Sequence, residues 1–192
     1  MQQISRHYPK MLKVRCIYMV VLSLFLHAGI AGYGQQMGEP YTAEKAALKE
    51  SAEKMGRSFT DTNYAAYVKY VHPAIIRLMG GSPKMIAYLR KTMSDMASEG
   101  VSFKDVSIGE PMNVFRSGTQ LQCIIPQTLF MKVKNGTVEQ TSYLLGVSAD
   151  KGKTWTFIDT SNKTIEQIKA IVPAVNEKIE IPKKSAPVFH AG

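Results

Sequence analysis

From Leu121 to Val147 the chain alternates between apolar and polar residues, a period of two that dictates a β-hairpin. Leu121, Cys123, Ile125, Leu129, Met131 and Val133 hold odd positions, while Gln120, Gln122, Thr128, Lys132 and Lys134 hold even ones. Asn135-Gly136 interrupts the run, and this pair is a strong hairpin signal because both residues tolerate the positive φ of a type I′ turn. A two-residue turn centred there predicts that Lys132 faces Glu139, Thr128 faces Tyr143 and Ile124 faces Val147. The first is an opposite-charge pair worth roughly 0.2–1 kcal/mol. The second face then carries Ile124, Phe130, Tyr143, Leu145 and Val147, so the sheet is apolar on both sides. One side must meet helices. The other needs a cover, either a partner subunit in a homodimer or the C-terminal segment. Pro126 lacks the N–H that a ladder requires, which predicts an edge position or a bulge.

Before Val101 the period is helical. Leu48, Ala52, Met55 and Phe59 form one apolar face behind a Thr42 cap, opposite Lys45, Lys49, Glu50, Glu53 and Lys54. Thr60 or Asp61 is the expected cap of a second helix, whose stripe is Tyr64, Tyr67, Val68 and Val71 and which Pro73 ends. Residues 74–79 are short, apolar and partly β-branched, as in a strand or an irregular extension. Gly80-Gly81 reads as a tight turn rather than a phosphate loop, because no GxxxxGK[ST] pattern follows. Ser82 and Pro83 open a third helix with Ile86, Leu89, Met93 and Met96 inward, and Gly100 closes it. Strands over 101–108 and 112–116 lead into the hairpin.

After the hairpin, residues 148–155 read Ser-Ala-Asp-Lys-Gly-Lys-Thr-Trp. The stretch resembles the Asp-box, S-x-D-x-G-x-T-W, of sialidase propellers, where it recurs once per blade and away from the catalytic centre. Here it occurs once, in a chain too short for a propeller of about 40 residues per blade. The local physics favours a structural loop over carbohydrate contact: Asp150 accepts backbone N–H groups, Gly152 supplies positive φ, and Trp155 packs at the hairpin base. Trp155 and Phe157 share one face of the strand that follows. Thr164 to Gln167 has the capping-box form of a short helix ended by Pro173.

The ends of the chain set its expected location. The first 34 residues combine Arg6, Lys10, Lys13 and Arg15 with an apolar run over 17–30 and a small-residue exit, the pattern of a cleaved signal peptide. That run is shorter than the roughly 20 residues a membrane span needs, so no stable membrane anchor is expected after cleavage. The protein is then exported, to the periplasm or the medium, as a single domain over 35–182 with a loose tail over 183–192. Removing the four basic residues of the leader lowers the formal net charge from +9 to +5, with no basic run longer than two left behind. That excludes the clustered basic face of a nucleic-acid binder. Cys123 has no partner once Cys16 is removed and reads as a buried small hydrophobe. His72 and His190 are too few for a metal centre, and no metal or other cofactor is implied.

Helices, a short apolar segment, a diglycine, a further helix and then antiparallel strands form an order that resembles the nuclear transport factor 2-like fold. The residues carrying it are His72-Pro73, the stretch from Ile75 to Gly81, and the strand run ending Lys153-Thr-Trp-Thr-Phe. The resemblance implies an α+β fold, with three N-terminal helices packed in a strongly curved, cone-like antiparallel sheet, a short C-terminal helix and a pocket at the open end. The family includes SnoaL-like cyclases and ketosteroid isomerase as well as members without chemistry, and fold alone does not choose among them. The candidate pocket residues are Tyr64, Tyr67, His72, Tyr88 and Tyr143. His72 is the candidate acid or base, although a capping role before Pro73 is the plainer reading. The family's catalytic carboxylates match no position. Three readings follow: a non-catalytic domain holding a small apolar or amphipathic ligand, a SnoaL-like isomerase or cyclase using His72, and a dimerising scaffold.

Overall fold

The computed structural model describes residues 40–192; the expected signal peptide lies outside the described residues. The architecture is α+β: among the described residues four helices precede a six-stranded antiparallel sheet, and one short helix falls between its last two strands. Helix α1 spans Thr42–Thr60, α2 Tyr64–Tyr67, α3 Pro73–Leu78 and α4 Ser82–Ser98. The strands are β1 (Ser102–Ile108), β2 (Val114–Ser117), β3 (Gln120–Val133), β4 (Gly136–Ser148), β5 (Thr156–Asp159) and β6 (Val188–Ala191), with α5 (Ile165–Ile171) before β6. The sheet order is β1-β3-β4-β5, with β2 also beside β3 and β6 also beside β4.

The helical face of α1 buries Leu48, Ala52 and Met55, as its spacing predicts. Its cap differs. Tyr41, at φ 69°, takes the N-cap position and Thr42 becomes the first helical residue. Helix α2 is capped by Asn63, whose side chain accepts the Ala66 N–H at 3.1 Å, rather than by Thr60 or Asp61. The stretch expected as a strand or an irregular extension is a helix: His72 Nδ1 accepts the Ala74 N–H at 3.3 Å and Pro73 is pre-set for the first turn. A cap and a proline outweigh the β preference of Ile75-Ile76, so among the described residues four helices precede the sheet, not three. Gly80 and Gly81, at φ 78° and 101°, make the tight turn into α4. Gly81 rather than Ser82 is the N-cap there. Helix α4 ends as expected on Gly100, where Gly100 and Val101 return hydrogen bonds to Ala97 and Met96 in a Schellman motif. The helical layer is stitched to the sheet edge by His72 N–H to Phe157 C=O at 2.9 Å and Phe157 N–H to Tyr70 C=O at 2.7 Å.

The β3–β4 hairpin forms with a different register from the one Asn135-Gly136 predicts. The turn is Lys134-Asn135, so Lys132 faces Thr137, Thr128 faces Thr141 and Ile124 faces Leu145. A shift of two leaves every side chain on its expected face. The cause is β6. Gly136 lies inside β4 at φ 157°, pressed against the backbone of His190 and Ala191 so closely that a Cβ would collide with it. The glycine serves a close backbone approach rather than the turn. Glu139 consequently meets His190, with Nε2 and Oε2 at 3.1 Å, instead of Lys132.

Pro126 sits in the middle of β3, neither at an edge nor in a bulge. A strand residue points its N–H and C=O to the same side, and the Pro126 C=O accepts the Gly109 N–H at 3.0 Å. Its absent N–H therefore faces the break between β1 and β2, where no ladder runs. The bulge is in β1 instead, between Phe103 and Asp105.

Both faces of the sheet are apolar, and both are covered within the chain. Leu121, Cys123, Ile125, Leu144, Trp155 and Phe157 pack on α1. Ile124, Leu145, Val147 and Ile158 pack under Ile168, Val172, Val175 and Ile179. The C-terminal segment thus takes the place open to a partner subunit. Gln122 fastens it. Fully buried, its Nε2 donates to the Ala174 C=O at 2.9 Å and its Oε1 accepts the Asn176 N–H at 2.8 Å. Beyond it the expected loose tail is docked: Ser185 exchanges hydrogen bonds with the Thr141 backbone, and β6 pairs with β4 from Gly136 to Glu139.

Replacing Gln122 with Ala strands two backbone groups under the C-terminal cover. Chemical denaturation should show a loss of about 1–3 kcal/mol, with faster amide exchange over 168–179. Wild-type stability and exchange would show that Gln122 does not hold the cover.

Candidate functional site

The helical side of the sheet is not filled completely. Between the helices and the strands lies a cavity of about 290 Å³. Leu129, Leu144, Phe103 and Phe157 form part of its floor, and Met55, Phe59, Met85, Leu89 and Met93 part of its roof. Aromatic packing shapes one wall: the Phe59 ring lies 4.9 Å from that of Phe103 and 5.3 Å from that of Tyr67, centroid to centroid. Three flexible methionines let the roof adapt to an occupant.

Four polar side chains break this apolar lining: Tyr67, Gln127, Asp159 and Lys163. Burial, reinforced by the nearby Asp159 carboxylate, pushes the Tyr67 hydroxyl up to about 12. It stays protonated and available as a donor at neutral pH. Gln127, buried in β3, donates from Nε2 to Ser142 Oγ at 3.2 Å. Asp159 ends β5 opposite Leu144, and its Oδ1 accepts the Ser161 N–H at 2.8 Å. Lys163 follows in the next loop, its backbone N–H held by the Thr160 C=O at 3.1 Å. Tyr67, Asp159 and Lys163 thus gather on the β5 side. They can hold the polar end of a molecule whose body occupies the apolar remainder.

The sequence candidates scatter. Tyr67 lines the cavity. Tyr64 is buried beside Phe59, with ring centroids 6.1 Å apart, and lies outside the lining. His72 also lies outside it. The ring caps α3, and its pKa is lowered by burial and then by Arg77. Tyr88 is 57% exposed. Tyr143 lies on the opposite face of the sheet and lines a separate cleft. Gln127, Asp159 and Lys163 were not among the candidates. The signal for Asp159 was present, since it continues the alternation of Trp155 and Phe157 toward the helices. Cys123 is fully buried and its thiol is pushed up to about 12 by that burial, so thiolate is scarce. Among the described residues no cluster of three His, Cys, Asp or Glu side chains is placed to hold a metal.

The Asp-box stretch is a closed hydrogen-bond network. Ser148 Oγ donates to Asp150 Oδ1 and accepts the Gly152 N–H, both at 2.8 Å. Asp150 accepts the N–H groups of Lys153 at 3.1 Å and Thr154 at 2.9 Å, and the Thr154 hydroxyl at 2.7 Å. Trp155 Nε1 donates to the Gly152 C=O at 3.0 Å. Gly152, at φ 86°, rests against the Glu44 side chain of α1 with no room for a Cβ. The loop's polar groups face one another.

Compared with protein-family models and with curated proteins, the sequence matches none.

These hydrogen bonds hold the Asp150 carboxyl at about 2, below its ordinary 3.8. A group depressed in the folded state stabilises fully above its ordinary value and ceases to do so as pH falls through the folded one. Asp150→Asn should therefore lower the melting temperature at pH 7, and the difference from wild type should vanish as pH falls from 3.8 to about 2. A pH-independent difference would mean that the carboxylate charge is not what holds the loop.

Proposed function

We propose that the chain is an exported, non-catalytic binding domain of the nuclear transport factor 2-like class, whose cavity holds a small apolar or amphipathic ligand. The observation that carries this reading is the apolar cavity with Tyr67, Asp159 and Lys163 gathered on one side. Its volume of about 290 Å³ suits a small ligand, near the lower end of the usual range of about 300–1,000 Å³. The fold assignment is supported by the order of helices before strands and by a cavity between the two layers. In this reading the sheet curves around the helices as a cone, and the β1 bulge contributes to the bend. Export is supported by the basic, apolar and small-residue sequence of the first 34 residues.

A SnoaL-like isomerase or cyclase is the second reading. It draws on Asp159 and Tyr67 sharing the cavity, as base and hydroxyl donor, and no longer on His72. Binding fits better, because among the lining residues Asp159 is the lone carboxylate and no imidazole joins it to complete an acid–base pair.

The neutral fluorophore N-phenyl-1-naphthylamine should bind saturably at one site. Met93→Trp and Leu89→Trp, which fill the cavity, should each abolish the fluorescence gain while leaving the circular dichroism unchanged. For an amphipathic ligand recovered with the protein, Tyr67→Phe should cost about 0.5–1.5 kcal/mol of affinity. Unchanged fluorophore binding in both tryptophan variants would overturn the reading.

A further inference from the structure

On the opposite side of the sheet from the cavity lies a second cleft, of about 670 Å³, walled by Tyr143 of β4, the loop after β5, α5 and the segment approaching β6. Lys163, Lys169, Lys183 and Lys184 line it together with Glu177 and Glu180. None of these six side chains forms an ion pair with another described residue, whereas Glu50–Lys54 and Glu53–Arg57 of α1 and Lys91–Asp95 of α4 are paired at i,i+4.

The walls are held in place. Thr160 donates twice to the Tyr143 C=O, from N at 3.1 Å and Oγ1 at 2.8 Å, and this fixes the loop that carries Lys163. Ile179 is buried under the sheet, which anchors the segment between Glu177 and Glu180. Ser185 accepts the Thr141 N–H at 3.1 Å and so positions Lys183 and Lys184 immediately before it. The basic pair of the tail is thereby a wall of the cleft.

We propose that this cleft binds an acidic oligosaccharide, a chain of hydroxyl-bearing rings that carries carboxylates. A compact anion such as phosphate needs donors converging on one point, commonly backbone N–H groups or a rigid arginine fork. Here the ammonium groups come from three separate segments, with two carboxylates among them. An extended ligand alternating carboxylates with hydroxyls satisfies both signs. Lysines pair with its carboxylates, and Glu177 and Glu180 accept its hydroxyl protons. Tyr143 adds an aromatic face and a phenolic hydroxyl. The cleft shares Lys163 with the cavity lining but is argued chiefly from Lys169, Lys183, Lys184 and Tyr143, so either reading can fail alone.

The test is calorimetric titration of the full chain with trigalacturonate, with a neutral galactose trisaccharide and with inorganic phosphate. Trigalacturonate should bind, more weakly as salt rises, and the other two should not. The double variant Lys183→Glu with Lys184→Glu should weaken it about tenfold, as two partly exposed ion pairs would. Lys169→Glu, on a different element, should weaken it separately. The variant Lys84→Glu with Lys104→Glu carries the same net charge change away from the cleft and should bind as wild type does. Absence of trigalacturonate binding, equal binding of phosphate, or equal losses in the two double variants would each overturn the proposal.

Discussion

Every layer of this protein depends on a hairpin that is apolar on both sides. Strands β3 and β4 present Cys123, Ile125 and Leu144 to one side and Ile124, Leu145 and Val147 to the other, and a sheet of that kind is not stable with either side in water. The chain supplies two covers from opposite ends of its sequence. Helix α1 docks on the first side through Leu48, Ala52 and Met55. The segment carrying Ile168, Val172, Val175 and Ile179 docks on the second. Gln122 adds direction to the second docking. An apolar cover alone can slide, whereas a buried amide bonded to Ala174 and Asn176 fixes one position along the sheet.

The helices fill the first side incompletely, and the space they leave is the candidate ligand cavity. On the first side α1 lies close to the sheet at Gly56, where an added Cβ would sit 3.1 Å from Val106 Cγ1. The shorter helices α2 and α3 bridge toward the edge strand β5, to which they are tied through Tyr70, His72 and Phe157. Long side chains span the remaining space without closing it, and the cavity is what remains. The segment on the second side is the short helix α5 and the irregular stretch after it, with its apolar residues directly against the strands.

Element types and faces were largely legible in the sequence, because both periods were strong. The helical stripe of α1, the glycine end of α4, the capping box of α5 and the closed Asp-box loop all follow from short-range physics and all occur. What the sequence did not disclose depends on distant partners. The hairpin register answers to β6, more than 50 residues away, which presses on Gly136. The position of Pro126 answers to a break between two other strands. Pro73–Leu78 form a helix because His72 and Pro73 start one, a local signal that the β preference of two isoleucines masks. The site was the least legible part. Of five aromatic or imidazole candidates, Tyr67 reaches the cavity, because pointing inward and lining a space are different conditions. Only the packing of α2 against Phe59, which itself rests on Phe103, settles which tyrosine meets both.

The dependence of the second face on residues 168–179 also governs the order in which the molecule can be completed. A chain emerging from its amino end presents its helices and then the whole β3–β4 hairpin before Ile168, Val172, Val175 and Ile179 follow. Until they do, Ile124, Leu145, Val147 and Ile158 face water, and the backbone edge of β4 beside Gly136 stays open until β6 follows in turn. The native state is therefore sealed from its carboxyl end, late and by contacts distant in sequence, which favours slow closure over rapid local folding. Anything joined beyond Gly192 emerges beside the Asn135 turn, where the Gly192 N–H already binds the Asn135 carbonyl at 3.1 Å. In this protein the segment after β5 acts as the latch of the fold.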